Sequence, residues 1–224
     1  MKIKFKNIIF KLISLCAVIY GFVVMTKEPI KMTYFTMLAN LFIGITNAIY
    51  IFIEMKAIRN ISPKFHIMRL LATVFIIITF IVYNVILAPT YERGYLASLA
   101  EDTYGSLAFH IISPVFAIID FFVVNYDYEY KPRDAFYAVL PPLIYEIYIV
   151  ILSLCGVTWK PGAVEMSAPY NFLNFKAPCG WFGFDLGNVS ESTLGIGVFY
   201  VVLVFIIVFL VLARALIFIK NKLR

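Results

Sequence analysis

Charge is scarce in this chain: 14% of its 224 residues are Asp, Glu, Lys or Arg, against 62% hydrophobic residues. The mean hydropathy is +0.91. A soluble domain has no interior large enough to hide that much apolar surface, which excludes a soluble enzyme and points to membrane spans. Histidine is nearly absent, with only His66 and His110, so no His-rich metal site is available. The three cysteines, Cys16, Cys155 and Cys179, show no metal-ligand spacing. Glycine-rich phosphate loops, a dinucleotide fingerprint and zinc motifs are all missing. We therefore expect no metal and no cofactor. The net charge of +6 does not mark a nucleic-acid binder, because the basic residues flank apolar runs and do not share one soluble face. Membrane lipids are the expected partners. The opening MKIKFKNIIFK begins like a signal peptide, but no small-x-small cleavage site follows it. Leu15 also precedes Cys16 where a lipoprotein signal needs a small residue, so we read an uncleaved first span.

What is present is a series of long apolar runs. They predict an all-α, polytopic membrane protein, a single domain built as a bundle of six transmembrane helices. The spans fall at about 7–25, 33–54, 67–88, 105–124, 135–156 and 194–219. Pro89 stops the third span, and Pro141-Pro142 should kink the fifth or shorten its first turns. With the N-terminus inside, fourteen Lys and Arg fall on the cytoplasmic side and five (Lys27, Lys31, Arg93, Lys160 and Lys176) on the outer side. That asymmetry predicts a multi-pass protein of the cell membrane with both termini cytoplasmic. The segment APYNFLNFKAPCGWFGF, before the last span, has too few charges to be freely solvated. It reads either as an interfacial anchor or as a lid over the outer mouth. Cys155 and Cys179 both fall on the outer side, where a disulfide would pin that segment to span five.

Ionisable groups within spans are costly and mark candidate sites. His110 and Asp120 lie in span four, and Glu146 lies in span five. Thr36, Asn40 and Asn47 share a face of span two. Spans two and four both descend from the outer side, and Thr36 and His110 differ in depth by only about 3 Å. A hydroxyl beside an imidazole is the minimum for nucleophilic acyl transfer, with His110 taking the proton of Thr36. Asn40 or Asn84 could supply oxyanion support. Each residue also has a plain structural role open to it: membrane threonines bond their own backbone, asparagines join helices, and His110 could simply be packed. Asp120 lies about 15 Å along the helix from His110, too deep to orient it, and is expected to pair near the inner side with Arg69. No intramembrane carboxylate lies at the depth needed to orient His110.

The motifs YFTMLANL, HIISPVFAIID and APYNFLNF, in this order along the chain, resemble the Pr6Pr family of six-span membrane proteins. That family is related to the androgen-induced gene and androgen-dependent TFPI-regulating proteins of animals. The resemblance covers nearly the whole chain and implies an intramembrane hydrolase of fatty acid esters. By position in the motifs, Thr36 corresponds to the nucleophile and His110 to the base. Two other classes stay open: a non-enzymatic transporter or channel using Asp120 and Glu146, and a structural membrane protein.

Overall fold

The computed structural model of the chain describes residues 5–25, 28–159, 164–190 and 192–223. Lys2, Lys4, Lys27, Lys160 and Arg224, all counted in the charge asymmetry, lie outside them. The protein is all-α, and among the described residues six helices are long and apolar enough to cross a membrane, making it a multi-pass membrane protein. The chain divides into two compact units, 1–134 with 213–224, and 135–212.

The first unit is built on α1 (Lys6–Met25), α2 (Phe35–Met55), α3 (Pro63–Ile81), α4 (Tyr95–Leu107) and α5 (Ser113–Val123). Helix α1 packs against α2 and α5, and α3 packs against the same two. Helices α2 and α5 therefore face each other across a four-helix ring. Val18, Ile43, Ala72, Ile76 and Ala117 meet at its centre, with Phe22 and Phe42 packed against them. Close approach depends on small residues, as is usual where helices pack in lipid. A Cβ on Gly44 would meet Val18 at 2.8 Å, and one on Gly21 would collide with the ring of Phe109.

Spans three and four depart from regular α-helix where the sequence carries proline. Helix α3 continues as a π-helical stretch, Val82–Leu87, and a 3-10 turn, Ala88–Thr90, at Pro89. Between α4 and α5 lies a second π-helical stretch, Ala108–Ile112, which ends two residues before Pro114. Within α4 the backbone leaves helical geometry at Glu101, and Asp102, Thr103 and Tyr104 take φ of 48, 56 and 64°. Three left-handed residues without a glycine cost roughly 1–2 kcal/mol each. They are held by Tyr20, whose phenol donates to the Thr103 carbonyl at 2.6 Å, and by a Lys31–Asp102 ion pair at 3.3 Å. The turn separates Tyr95–Ala100 from the span proper, which resumes at Gly105, where the apolar run begins.

The second unit holds α6 (Leu140–Leu154) and α7 (Val198–Lys222) as far as Leu212. Pro141 and Pro142 open α6, where a missing N–H costs nothing, and a 3-10 stretch, Pro132–Val139, precedes them. The aromatic connection folds on itself and on the first turns of α7. Phe175 stacks on Trp181, Phe182 packs on Phe199, and Phe172 packs on Phe205. The Cys155–Cys179 bridge does not form: both are free thiols, Cys155 exposed at the end of α6 and Cys179 buried in the connection. Ring packing orders this segment in place of a disulfide.

Candidate functional site

His110 is buried, 6% exposed, in the π-helical stretch of span four. Its Nδ1 lies 2.9 Å from the carbonyl oxygen of Ser106 and 3.2 Å from the Ser106 hydroxyl. A carbonyl can only accept, so Nδ1 carries the proton and Nε2 keeps its lone pair. The network continues outward with consistent direction. The Tyr83 phenol donates to the Ser98 carbonyl at 2.9 Å, which leaves its oxygen to accept from the Ser106 hydroxyl at 2.6 Å. The Tyr83 ring also stacks on the imidazole, with centroids 3.5 Å apart and planes 9° from parallel. His110 is thus clamped by one face and one nitrogen. Among the described residues nothing hydrogen-bonds Nε2.

The backbone around His110 explains why two asparagines are needed. Pro114 has no N–H to return to the preceding turn, so the carbonyls of His110 and Phe109, four and five residues back, lose a helical donor. The Asn84 amide donates to the His110 carbonyl at 3.1 Å and to that of Phe80 at 2.7 Å. The Asn40 amide donates to the Phe109 carbonyl at 3.3 Å and to that of Thr36 at 3.0 Å. Asn40 thereby bridges α2 to span four across the ring. Both protons of each amide are committed to carbonyls, so neither side chain has a donor left for an oxyanion. Tyr95 donates to the Asn84 Oδ1 at 2.6 Å, whereas among the described residues the buried Asn40 Oδ1 has no partner.

Thr36 is half-buried in the first turn of α2. Thr46 and Thr73 bond the preceding turn, at the carbonyls of Phe42 and Arg69 and both at 2.8 Å, whereas the buried Thr79 hydroxyl has no partner among the described residues. Thr36 lies one residue inside the helix start, where no helical carbonyl waits four residues back. Among the described residues its hydroxyl makes no hydrogen bond, to His110 or to any other group. Its backbone N–H is likewise without an acceptor, since the first bonds of α2 come from Met37 and Leu38 to the Tyr34 carbonyl.

Comparison of the chain with known families, curated proteins and solved structures finds no match. The site must be read from its own geometry.

Deeper in the ring, Asn47 donates to the Ser14 hydroxyl at 3.0 Å, which donates to the Ser113 carbonyl at 3.1 Å. Below this lies a buried ionic cluster. Asp120 receives Lys11 at 2.6 Å on one oxygen and Arg69 at 2.9 Å on the other. Lys220 caps the end of α5, donating to the carbonyls of Phe122 and Val124 at 3.2 and 3.0 Å. Cations at a helix C-terminus complement its dipole. The Arg69 guanidinium also lies against the rings of Tyr50, Phe121 and Tyr126. Burial pushes the Tyr130 phenol up to about 12, against the opposing pull of Arg69, and raises that of Tyr126 as well. Glu146 belongs to the other unit, and among the described residues neither of its oxygens has a hydrogen-bond partner.

Sequence reasoning missed Lys11 as a partner of Asp120, and Ser106 and Tyr83 as the groups that orient His110. Ser106 was within reach: it precedes His110 by four residues, one helical turn on the same face. Lys11 and Tyr83 carry no such local signal.

Proposed function

We propose that this chain is an intramembrane hydrolase of lipid esters, of the Pr6Pr type, with Thr36 as nucleophile and His110 as base. The observation that carries the reading is the state of His110: Nδ1–H is held by the Ser106 carbonyl, and the basic lone pair sits on Nε2. The Thr36 oxygen attacks the ester carbonyl carbon while its proton passes to Nε2. The proton then goes to the departing alkoxide, leaving an acyl-threonine. Water, deprotonated by the same nitrogen, adds to the acyl carbon; the bond to Thr36 breaks, the proton returns from Nε2 to the Thr36 oxygen, and the fatty acid leaves. The Thr36 N–H, at the positive end of α2, replaces the committed Asn40 and Asn84 amides as oxyanion donor. The mechanism requires Nε2 and the Thr36 hydroxyl to come within hydrogen-bond distance in the substrate complex, a contact that commonly tightens only there.

Orientation belongs to the same proposal: a cell-membrane protein with cytoplasmic termini, supported by the fourteen-to-five distribution of basic residues. Thiol labelling of Glu101→Cys in sealed cells should then occur from outside, and labelling only after permeabilisation would reverse the orientation. The transporter reading is weaker, because both Asp120 oxygens are taken by Lys11 and Arg69.

The deciding experiment is labelling with an active-site-directed fluorophosphonate. Labelling should be lost in Thr36→Ala and retained in part by Thr36→Ser. His110→Ala should slow it by about 10²–10⁴-fold. Labelling that persists in a folded Thr36→Ala variant would remove Thr36 as nucleophile and end the proposal.

A further inference from the structure

The membrane-spanning helices carry two buried carboxylates in very different surroundings. Asp120 is neutralised by two cations. Glu146 is 7% exposed near the middle of α6, and among the described residues no cation pairs with it and no donor reaches either oxygen. The sequence of the unit's two helical stretches carries the same isolation, its Lys160 and Lys176 lying in the connection between them. Glu146 is the only charged residue of α6, and α7 from Val198 to Leu212 has none. Over Leu140–Leu154 and Val198–Leu212 the other titratable groups are phenols, Tyr145, Tyr148 and Tyr200; the cations of α7, Arg214, Lys220 and Lys222, fall in the other unit. Glu146 shares a buried stripe with Pro142, Tyr145, Ile149 and Ser153, and the Ser153 hydroxyl is also buried without a partner among the described residues. An ionised carboxylate in such surroundings bears the full cost of lost hydration with nothing to offset it.

We propose that Glu146 is a proton-binding site: it resides in its span as the neutral carboxylic acid, and the proton is its ligand. This role is separate from the ester chemistry at His110, which lies in the other unit. A neutral acid in an apolar span is the group that a hydrophobic carbodiimide modifies. The acid proton passes to one carbodiimide nitrogen, and the carboxyl oxygen adds to the central carbon. Rearrangement then gives a stable N-acylurea, with no leaving group.

The test treats the full chain in lipid vesicles with dicyclohexylcarbodiimide and maps adducts by peptide mass spectrometry. The expected result is an adduct on Glu146 and none on Asp120, with no Glu146 adduct from a water-soluble carbodiimide. A second measurement is the infrared spectrum, in which wild type should show a protonated carboxylic carbonyl band that Glu146→Gln lacks. Glu146→Gln should unfold at the wild-type temperature, because an amide matches a neutral acid in shape and charge. If that variant does not fold, the wild-type adduct map decides alone. Absence of a Glu146 adduct, or an infrared spectrum in which Glu146→Gln loses an ionised carboxylate band, overturns the proposal.

Discussion

Neutralising Asp120 should cost far more than removing Lys11, one of its two partners. Three buried cations, Lys11, Arg69 and Lys220, gather around one buried carboxylate, with the half-buried Glu54 held nearby by Asn7. Asp120→Asn keeps the shape but leaves Lys11 and Arg69 without their shared counter-charge. Breaking a buried pair in this way costs about 3–5 kcal/mol, or roughly two to three and a half decades in the folding equilibrium. The upper end is moderated by acceptors that survive. Arg69 keeps the carbonyls of Asp120 and Val124 at 2.8 and 3.3 Å, and Lys11 keeps that of Asn7 at 2.6 Å. Lys11→Met, by contrast, leaves Asp120 and Arg69 as a neutral one-to-one pair and replaces a buried ammonium with an apolar chain of similar length. Its cost should stay below about 1 kcal/mol, because charge excess is relieved, not created. Equilibrium unfolding in micelles, with both single variants and the double variant, measures the asymmetry. Equal costs for Asp120→Asn and Lys11→Met would refute the view that the carboxylate is the keystone of an over-cationic cluster.

Asn84→Ala should destabilise the protein by about 1–3 kcal/mol, since it strips the donor from the carbonyl that Pro114 cannot serve; thermal unfolding reads this directly. Gly21→Ala should cost about 1–3 kcal/mol by driving a methyl group into the Phe109 ring, and should slow fluorophosphonate labelling because Phe109 precedes His110. Ser106→Ala removes the hydroxyl but keeps the carbonyl that holds Nδ1, so labelling should fall by less than in His110→Ala; equal losses would show that the hydroxyl, not the carbonyl, orients the ring. The Tyr130 phenol, at about 12 when folded against an ordinary 10.0, favours the folded state fully below pH 10. That contribution is lost as pH rises from about 10 to about 12, so Tyr130→Phe should flatten the stability profile in that window.

Composition alone determined the class of this protein, because so much apolar surface leaves only membrane spans as a stable arrangement. The number of spans and the places where proline would interrupt them were legible for the same local reason: proline lacks an N–H wherever it stands. The pairing of Asp120 with Arg69 was foreseeable from depth, since helical rise converts residue number into distance. Tertiary structure decided everything that depends on which helices meet. Placing α2 opposite α5 sends Asn40 across the ring to Phe109, and packing α3 beside span four brings Tyr83 onto the face of His110. Lys11 reaches Asp120 from a residue separation of 109, which no periodicity encodes. The asparagines illustrate the division most clearly. Their residue type announced polar work inside the membrane, but only the fold showed their protons committed to carbonyls that proline and π-helical geometry had left without a donor.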